Sequence, residues 1–201
     1  MKIAIIGAGN VGGALARNWA AAGHEVYLGV KNPADNKEWS GIANLTVCSV
    51  KAAADEAAVL LVALPVPALV PVAQELGNME NKIVIDATNA VFAKPAPYET
   101  GYHVFKALTG ADVIKSFNTT GFENMANPVY HGKGIDMFMA AGSQKAKEVV
   151  RLLASDAGFE ACYDFGGEDK VLLIEQFAMA WINLAILQKE GRDIAFKVLR
   201  R

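Results

Sequence analysis

Residues 2–12 read KIAIIGAGNVG, and this stretch decides how the chain is expected to fold. The short apolar run KIAII is followed directly by GAGNVG, which has the spacing G-x-G-x-x-G. Between a strand and a helix, such glycines permit a tight turn, close approach of a pyrophosphate and close helix–strand packing. The free N–H groups that open the helix attract the diphosphate. We therefore predict a dinucleotide-binding turn made by Gly7, Ala8, Gly9, Asn10, Val11 and Gly12.

Beyond this turn, strand-like and helix-like segments alternate along the chain. Apolar runs typical of strands occur at 24–30, 45–49, 58–64, 82–88, 112–118, 135–142 and 159–166. This alternation predicts right-handed β-α-β crossovers and an α/β fold with a doubly wound, mostly parallel sheet of the Rossmann type. The last two runs are expected to extend that sheet by two further strands. A long C-terminal helix is predicted to start near Glu168, so we expect a dinucleotide-binding domain over 1–165 and a helical segment over 166–201 packed on it.

The stretch LGVKNP, residues 28–33, ends the second predicted strand and bears on the choice of dinucleotide. NAD-binding units carry an acidic residue about 20 positions after the glycines, where it accepts hydrogen bonds from the ribose 2′-hydroxyl. Here the nearest carboxylates are Glu25, earlier in the strand, and Asp35, in the following loop. A cation at this point attracts a 2′-phosphate instead, so Lys31 and Asn32, with Lys37 as a further candidate, favour NADP over NAD. The alternative is that Lys31 is an ordinary solvated loop lysine.

Composition excludes several classes of partner. The net charge is −2, and the largest basic cluster is the terminal Arg200–Arg201 pair, so neither nucleic acid nor an anionic membrane surface is an expected partner. The two cysteines, Cys48 and Cys162, lie far apart and lack metal-site spacing. The apolar run at the N-terminus is too short for a signal peptide, and the tract 177–187 is shorter than a membrane span. We expect a cytoplasmic protein with no membrane segment and no metal.

Five motifs occur in an order and spacing that resemble a known family. They are GAGNVG (7–12), GVKNP (29–33), LVALP (61–65), VIDATN (84–89) and VIKSFN (113–118). The series resembles the NADP oxidoreductases that use coenzyme F420, a deazaflavin, and the related reductase domain of the six-transmembrane metalloreductases. In that family the second strand typically ends in Gly-Ser-Arg, where the serine and arginine hold the 2′-phosphate. Val30 and Lys31 replace those two residues here.

The resemblance implies further contacts with the dinucleotide at the carboxyl ends of three strands. Ala63, Leu64 and Pro65 follow the fourth strand, where the family passes under the adenosine and the nicotinamide ribose. Asn89 follows the fifth strand, on the nicotinamide side. Phe117 and Asn118 end the sixth strand, where the family places the nicotinamide ring. Open α/β sheets bind ligands at this edge. Core packing of Leu64 and a turn-forming role for the asparagines are the alternatives.

The expected reaction is hydride transfer between NADP(H) and a deazaflavin or flavin-type acceptor. Stacking of two redox rings needs orientation and enclosure more than an acid or base, and the sequence offers no catalytic residue that we can assign. Two alternatives remain: an NADP-dependent reductase of a small imine or carbonyl substrate, and a non-enzymatic NADPH-binding redox sensor. The loop 90–98, the loop 119–131 and the last helix are expected to form the pocket for this small-molecule redox substrate.

The last helix also predicts an oligomer. Between residues 171 and 187 only Glu175, Gln176 and Asn183 are polar. A helix that is apolar nearly all round must be buried, and one small domain can hardly cover every side of it. We therefore expect a symmetric homodimer formed through this segment.

Overall fold

Eight strands form one sheet in the computed structural model, which describes residues 1–201. The strands of the chain are β1 (Lys2–Ile6), β2 (Glu25–Val30), β3 (Leu45–Ser49), β4 (Val59–Val62), β5 (Ile83–Asp86), β6 (Asp112–Ser116), β7 (Val129–Tyr130), β8 (Lys133–Gly134), β9 (Asp136–Ala140) and β10 (Ala161–Asp164). The sheet has the order β10-β9-β6-β5-β4-β1-β2-β3, and β7 and β8 pair separately as a small hairpin. That hairpin lies where the sequence predicted only a loop.

The strand order confirms the predicted fold class. Strands β3-β2-β1-β4-β5-β6 are all parallel, in the order of the doubly wound dinucleotide-binding fold. The two further strands are also present: β9 pairs with β6 in the antiparallel sense, and β10 lies parallel to β9. The carboxyl ends of the first six strands therefore share one edge of the sheet.

Seven helices cover the two faces of this sheet. They are α1 (Asn10–Ala21), α2 (Val50–Glu56), α3 (Val66–Leu76), α4 (Gly101–Thr109), α5 (Phe122–Ala126), α6 (Gln144–Asp156) and α7 (Val171–Ile182). Ser49 and Ser143 cap α2 and α6, since each hydroxyl accepts a hydrogen bond from a backbone N–H three residues on. The segment 31–44 contains two short 3₁₀ turns, Pro33–Asp35 and Lys37–Trp39.

The core has two layers because the central strands are buried on both faces. Ile3 and Ile5 of β1 pack with Trp19 of α1 in one layer. Ile6 of the same strand belongs to the other layer, as does Phe105 of α4. Successive side chains of a strand point to opposite faces, which is why a continuous apolar run such as KIAII serves both layers.

The last part of the chain is helical over a shorter range than expected. Helix α7 continues as a π-helical turn, Asn183–Leu187, and the following residues form a non-helical tail. The run Glu168–Leu187 is 20 residues long with a mean hydropathy of 1.5, so by length and composition alone it could cross a membrane. One face of this run is nevertheless part of the core, where Val171, Ile174, Ala178 and Trp181 are buried.

Candidate functional site

The glycine turn has the geometry that its spacing predicts. Gly7 adopts a φ of +108°, which other residues rarely adopt, and a Cβ there would lie 2.5 Å from the carbonyl oxygen of Ala63. A Cβ on Gly12 would lie 2.0 Å from the carbonyl oxygen of Gly7, so only glycine lets α1 begin this close to β1. A Cβ on Gly9 would meet no atom within 4 Å. Space for a ligand is therefore open in front of the turn.

The start of α1 is electrostatically suited to an anion. The N-cap is Gly9, which has no side chain to accept hydrogen bonds from the first N–H groups of the helix, and the first turn contains no acidic residue. The first N–H groups of a helix have no partner within it, and the helix dipole places partial positive charge there. A diphosphate at this point would satisfy both features.

A cavity of about 610 Å³ lies beside the turn, between the ends of β2 and β3 and the outer face of α3. Lys31 lines it, is exposed and takes part in no ion pair, so its ammonium is free to bind an anion. Ser49 and Asn36 add hydrogen-bonding groups to the same cavity. These are the surroundings that a 2′-phosphate requires.

The structure distinguishes between the two residues predicted to hold that phosphate. Lys31 lines the cavity, whereas Asn32 does not. The carbonyl oxygen of Asn32 instead accepts a hydrogen bond of 2.8 Å from the side chain of Asn36, and it is Asn36 that borders the cavity. Sequence reasoning missed Asn36 because a 3₁₀ turn brings it back to the strand end. Ser49 caps α2 and, because it ends β3, also lies at the ligand edge.

The opposite wall of this cavity comes from α3 and is mainly apolar. Ala68, Pro71 and Val72 line it, with Glu75 beyond them. Pro71 lies inside α3, which nevertheless runs from Val66 to Leu76. Such a wall suits a flat aromatic base, since aromatic rings bury large apolar areas.

A smaller cavity of about 260 Å³ lies on the other side of Leu64. Its lining residues are Gly9, Asn10, Val11, Ala63, Leu64, Ala87, Thr88 and Asn89. Leu64 lines both cavities, so the two are the ends of one groove that passes the glycine turn. Residues from four of the five predicted motifs, GAGNVG, GVKNP, LVALP and VIDATN, are thus brought together.

The remaining predicted residues lie away from the groove surface. Pro65 is exposed as the N-cap of α3 and lines neither cavity. Phe117 is fully buried with a φ of 56°, and its ring packs edge-on against Trp19 and Phe159. The prediction that Phe117 contacts the nicotinamide is therefore wrong for its ring, which belongs to the core.

Asn89 and Asn118 form a reciprocal amide pair. The Nδ2 of Asn89 donates to the carbonyl oxygen of Asn118 at 2.8 Å, and the Nδ2 of Asn118 donates to the Oδ1 of Asn89 at 2.9 Å. Asn118 is buried and stands behind Asn89, and its own Oδ1 has no hydrogen-bond partner. Asn89 is thus held at the cavity wall by a residue that does not line the cavity.

A buried ion cluster supports the same wall. The ammonium of Lys115, which is fully buried, contacts Asp86 Oδ2 at 2.9 Å, the Thr88 carbonyl oxygen at 2.5 Å and the carboxylate of Glu175. Burial alone lowers the pKa of a lysine, but the charges of Asp86 and Glu175 outweigh this and raise the pKa of Lys115. Lys115 is therefore a charged structural residue, and it does not act as a proton donor to solvent.

A third cavity, of about 370 Å³, adjoins the groove at the Asn89–Ala90 peptide. The loop after β5 contributes Ala90, Val91 and Lys94, and α7 contributes Leu172, Glu175, Gln176 and Met179. It lies between the loop 90–98 and the last helix, two of the three segments predicted to form the second-substrate pocket. The third segment, 119–131, does not line it.

The site contains no other reactive arrangement. No three His, Cys, Asp or Glu side chains are grouped so that they could hold a metal ion. Burial raises the pKa of the Cys162 thiol to about 12 and also raises that of Cys48, so neither is a reactive thiolate near neutral pH. The groove is built to bind and to orient a ligand.

Fold and groove together define this chain as a dinucleotide-binding protein of the Rossmann type. Residues 2–90 match the family described as NADP oxidoreductase, coenzyme F420-dependent. The match confirms, for this part of the chain, the resemblance to that family which the sequence predicted. No curated protein sequence matches the chain.

Solved structures extend the similarity over the whole chain. A protein from Arthrobacter sp. FB24, provisionally described as an F420-dependent NADP reductase, has a TM-score of 0.81 and 23% identity, with 100% of each chain covered. A hypothetical protein from Sinorhizobium meliloti has a TM-score of 0.74 and 25% identity, covering 100% of this chain and 96% of the other. An imine reductase from Streptomyces aurantiacus has a TM-score of 0.69 and 15% identity, and only 64% of that enzyme is covered.

Proposed function

We propose that this protein binds NADPH in the groove and transfers hydride between NADP(H) and a deazaflavin or flavin-type acceptor. The observation that carries the proposal is the continuous groove, in which the glycine turn lies between an unpaired Lys31 and the Asn89 wall. An anion-binding turn flanked by a cation on one side only matches the asymmetry of NADP. The match of residues 2–90 to the NADP oxidoreductase family supports it.

Each part of the groove has a distinct role in this proposal. The N–H groups at the start of α1 bind the diphosphate. Lys31, Asn36 and Ser49 surround the 2′-phosphate, and the apolar face of α3 covers the adenine. Leu64 and Asn89 then border the nicotinamide end. NADPH, when bound, supplies the hydride, and the protein orients the ring and limits the access of water.

The second substrate is proposed to bind in the cavity next to Ala90, because that cavity adjoins the nicotinamide end. Its volume, about 370 Å³, is within the range of small-molecule sites. Its lining carries one lysine, Lys94, and two carboxylates, Glu99 and Glu175. Lys94 lies 3.5 Å from Glu99, so the ammonium is already paired and little positive charge remains for an anionic acceptor.

This charge distribution favours a second candidate function, reduction of a small imine or carbonyl compound. Protonated imines are cations. Around this cavity three acidic side chains, Glu99, Glu175 and the adjoining Asp86, stand against two lysines, Lys94 and Lys115, and this balance would attract a cation. A reductive aminase from Aspergillus terreus in complex with NADPH and ethyl levulinate shares the fold at a TM-score of 0.65 and 16% identity. The chain spans about 60% of that enzyme, so the likeness concerns the dinucleotide-binding part.

Turnover measurements separate the candidates. Purified protein is incubated with NADPH and, in turn, with a deazaflavin, free flavins and a series of cyclic imines and ketones, and NADPH oxidation is followed at its absorbance maximum. Oxidation that depends on a deazaflavin or flavin supports the leading proposal, and oxidation that depends on an imine supports the second. NADPH binding without turnover with any acceptor would indicate a redox sensor instead.

We also propose that a second copy of this chain covers the exposed face of the last helical run. Leu172, Leu173, Leu184, Ile186 and Leu187 are 39% to 52% exposed there. The patch is continuous with the second-substrate cavity, which Leu172 lines, so a partner would also help to close that cavity. A Leu173→Glu, Ile186→Glu double variant is expected to be monomeric by light scattering if the wild type is dimeric. A monomeric wild type would refute the dimer.

A further inference from the structure

Glu175 links the last helix to the wall of the proposed nicotinamide site. It lies on α7, 85 residues after Ala90, and one carboxylate oxygen accepts a hydrogen bond of 2.8 Å from the backbone N–H of Ala90. The other oxygen contacts the ammonium of Lys115 on β6. One side chain from the end of the chain therefore joins two elements of the ligand edge.

The wall segment 88–90 is held at every residue. Thr88 donates from its N–H and its hydroxyl to Asp86 Oδ1, at 3.0 and 2.6 Å, and its carbonyl oxygen accepts from Lys115. Asn89 is paired with Asn118, and Ala90 with Glu175. Of these contacts, the one to Glu175 is the only one supplied by the last helix.

The cluster carries charge as well as geometry. Asp86 accepts hydrogen bonds from Thr88 and Lys115, and Glu175 accepts one from the Ala90 N–H and contacts Lys115. Two acidic side chains therefore share a single ammonium. Buried ion clusters of this kind add little stability relative to well-packed apolar side chains. The position of the cluster directly behind Thr88 and Ala90 suggests that its value is in fixing that wall.

We infer that Glu175 is a positioning residue for the nicotinamide half of the dinucleotide, acting through the Ala90 peptide and Lys115. The inference rests on the proposed function, because it assigns the nicotinamide ring to the smaller cavity. The adenine half of the groove does not involve Glu175: the larger cavity is lined by residues of β2, β3, α2 and α3 and by the loops that follow β1, β2 and β4.

Two ligands separate this role from a general effect on folding. Adenosine 2′,5′-bisphosphate fills the adenine half alone, whereas NADPH fills both halves. Calorimetric titration of Glu175→Ala is expected to show NADPH affinity lowered by about tenfold, the effect of losing one hydrogen bond to a charged group. Affinity for adenosine 2′,5′-bisphosphate is expected to stay within about twofold, since the two sites are separate. Glu175→Gln keeps an oxygen for the Ala90 N–H and is expected to lose less NADPH affinity than Glu175→Ala.

Glu168→Ala is the matched control. Glu168 precedes the same helix, is exposed and pairs with Lys106 at 2.5 Å, away from all the cavities described. Both ligands are expected to bind this variant as they bind the wild type. Equal losses for the two ligands in Glu175→Ala, or no loss for either, would overturn the inference. A wild-type protein that binds neither ligand would overturn the proposed function itself, and the inference with it.

Hydrogen exchange of the wild type provides a measurement that needs no variant. If Glu175 and its partners fix the wall that the nicotinamide contacts, NADPH slows amide exchange over residues 88–91 and adenosine 2′,5′-bisphosphate does not. Equal protection by the two ligands would contradict the inference.

Discussion

The two ends of the groove are built in opposite ways. The proposed adenine end is local: the glycine turn, Lys31, Asn36 and Ser49 come from the first quarter of the chain, and Lys31 is exposed and unpaired. The proposed nicotinamide end is non-local, because its wall is supported by Asp86, Lys115 and Glu175, which come from three distant segments and are buried. The comparison shows that one end offers an exposed charge to a ligand, whereas the other presents a wall held by a buried ion cluster.

The largest effect on stability is expected at the proposed nicotinamide end, when the cation of its buried ion cluster, Lys115, is removed. Lys115→Met would leave two buried carboxylates without their shared partner, and the expected loss is about 3–5 kcal/mol in the free energy of unfolding. Denaturant titration measures it. Lys106→Met, which removes an exposed ion pair, is the control and is expected to lose less than about 1 kcal/mol. A loss for Lys115→Met as small as that of the control would refute the structural role.

The pH dependence of stability tests whether Lys115 is charged in the folded protein. The pKa of Lys115 in the folded protein is raised above its ordinary value of 10.5. The contribution of the Lys115 charge to the free energy of unfolding is therefore fully present below pH 10.5 and is lost as the pH rises through the folded-state pKa. The difference in unfolding free energy between the wild type and Lys115→Met is expected to be level from pH 7 to about 10 and to shrink only above this range. A decline that begins near neutrality would show that Lys115 is not charged in the fold.

At the proposed adenine end, a pair of glycine substitutions separates an effect on stability from an effect on NADPH binding. Gly12→Ala forces a Cβ against the Gly7 carbonyl oxygen and is expected to cost about 2–3 kcal/mol of stability. Gly9→Ala meets no atom and has a φ of −70°, so its melting temperature is expected to be unchanged while NADPH binds less tightly. Thermal melting with and without NADPH tests both. Normal NADPH binding by Gly9→Ala would exclude close approach of the diphosphate.

Charge reversal at Lys31 tests dinucleotide selection. Lys31→Glu places a carboxylate where the 2′-phosphate is proposed to bind, so NADPH affinity is expected to fall by about 10- to 100-fold while NADH binds as well or better. Titration of both nucleotides measures the change. Lys37→Glu is the matched control, since Lys37 lies in the same loop but does not line the cavity. An unchanged NADPH affinity in Lys31→Glu would remove Lys31 from the site.

The smallest effect is expected outside both ends. Arg192 of the tail pairs with Glu123 through two hydrogen bonds, of 2.5 and 3.0 Å, and lowers the pKa of Glu123. Arg192→Ala is expected to cost less than about 1 kcal/mol because the pair is partly solvated. A carboxyl group with a lowered folded-state pKa stabilises the fold fully above its ordinary pKa, here 4.5. The stability lost in Arg192→Ala is therefore expected to shrink below pH 4.5 and to vanish as the pH falls through the folded-state pKa of Glu123. Nucleotide affinity is expected to be unchanged, and a change would extend the site to the tail.

The sequence predicted the proposed adenine end of the groove better than the proposed nicotinamide end. The glycine spacing and the cation at the end of β2 are local signals, and Gly7, Gly9, Gly12 and Lys31 line the groove or shape it as expected. Phe117 and Asn32 were assigned by position alone, and the backbone turns the Phe117 ring into the core. A strand end predicts which edge a residue lies on, but the local φ and ψ decide which way its side chain points.

By itself, the sequence determined the fold class, the geometry of the glycine turn and the two additional strands. It could do so because each of these depends on short-range periodicity and on residues within one β-α-β unit. Only the tertiary structure decided that Asp86, Lys115 and Glu175 form one buried cluster and that α7 borders a second cavity. The physical reason is that a buried charge requires a partner, and the chain can supply that partner from any distance along its length.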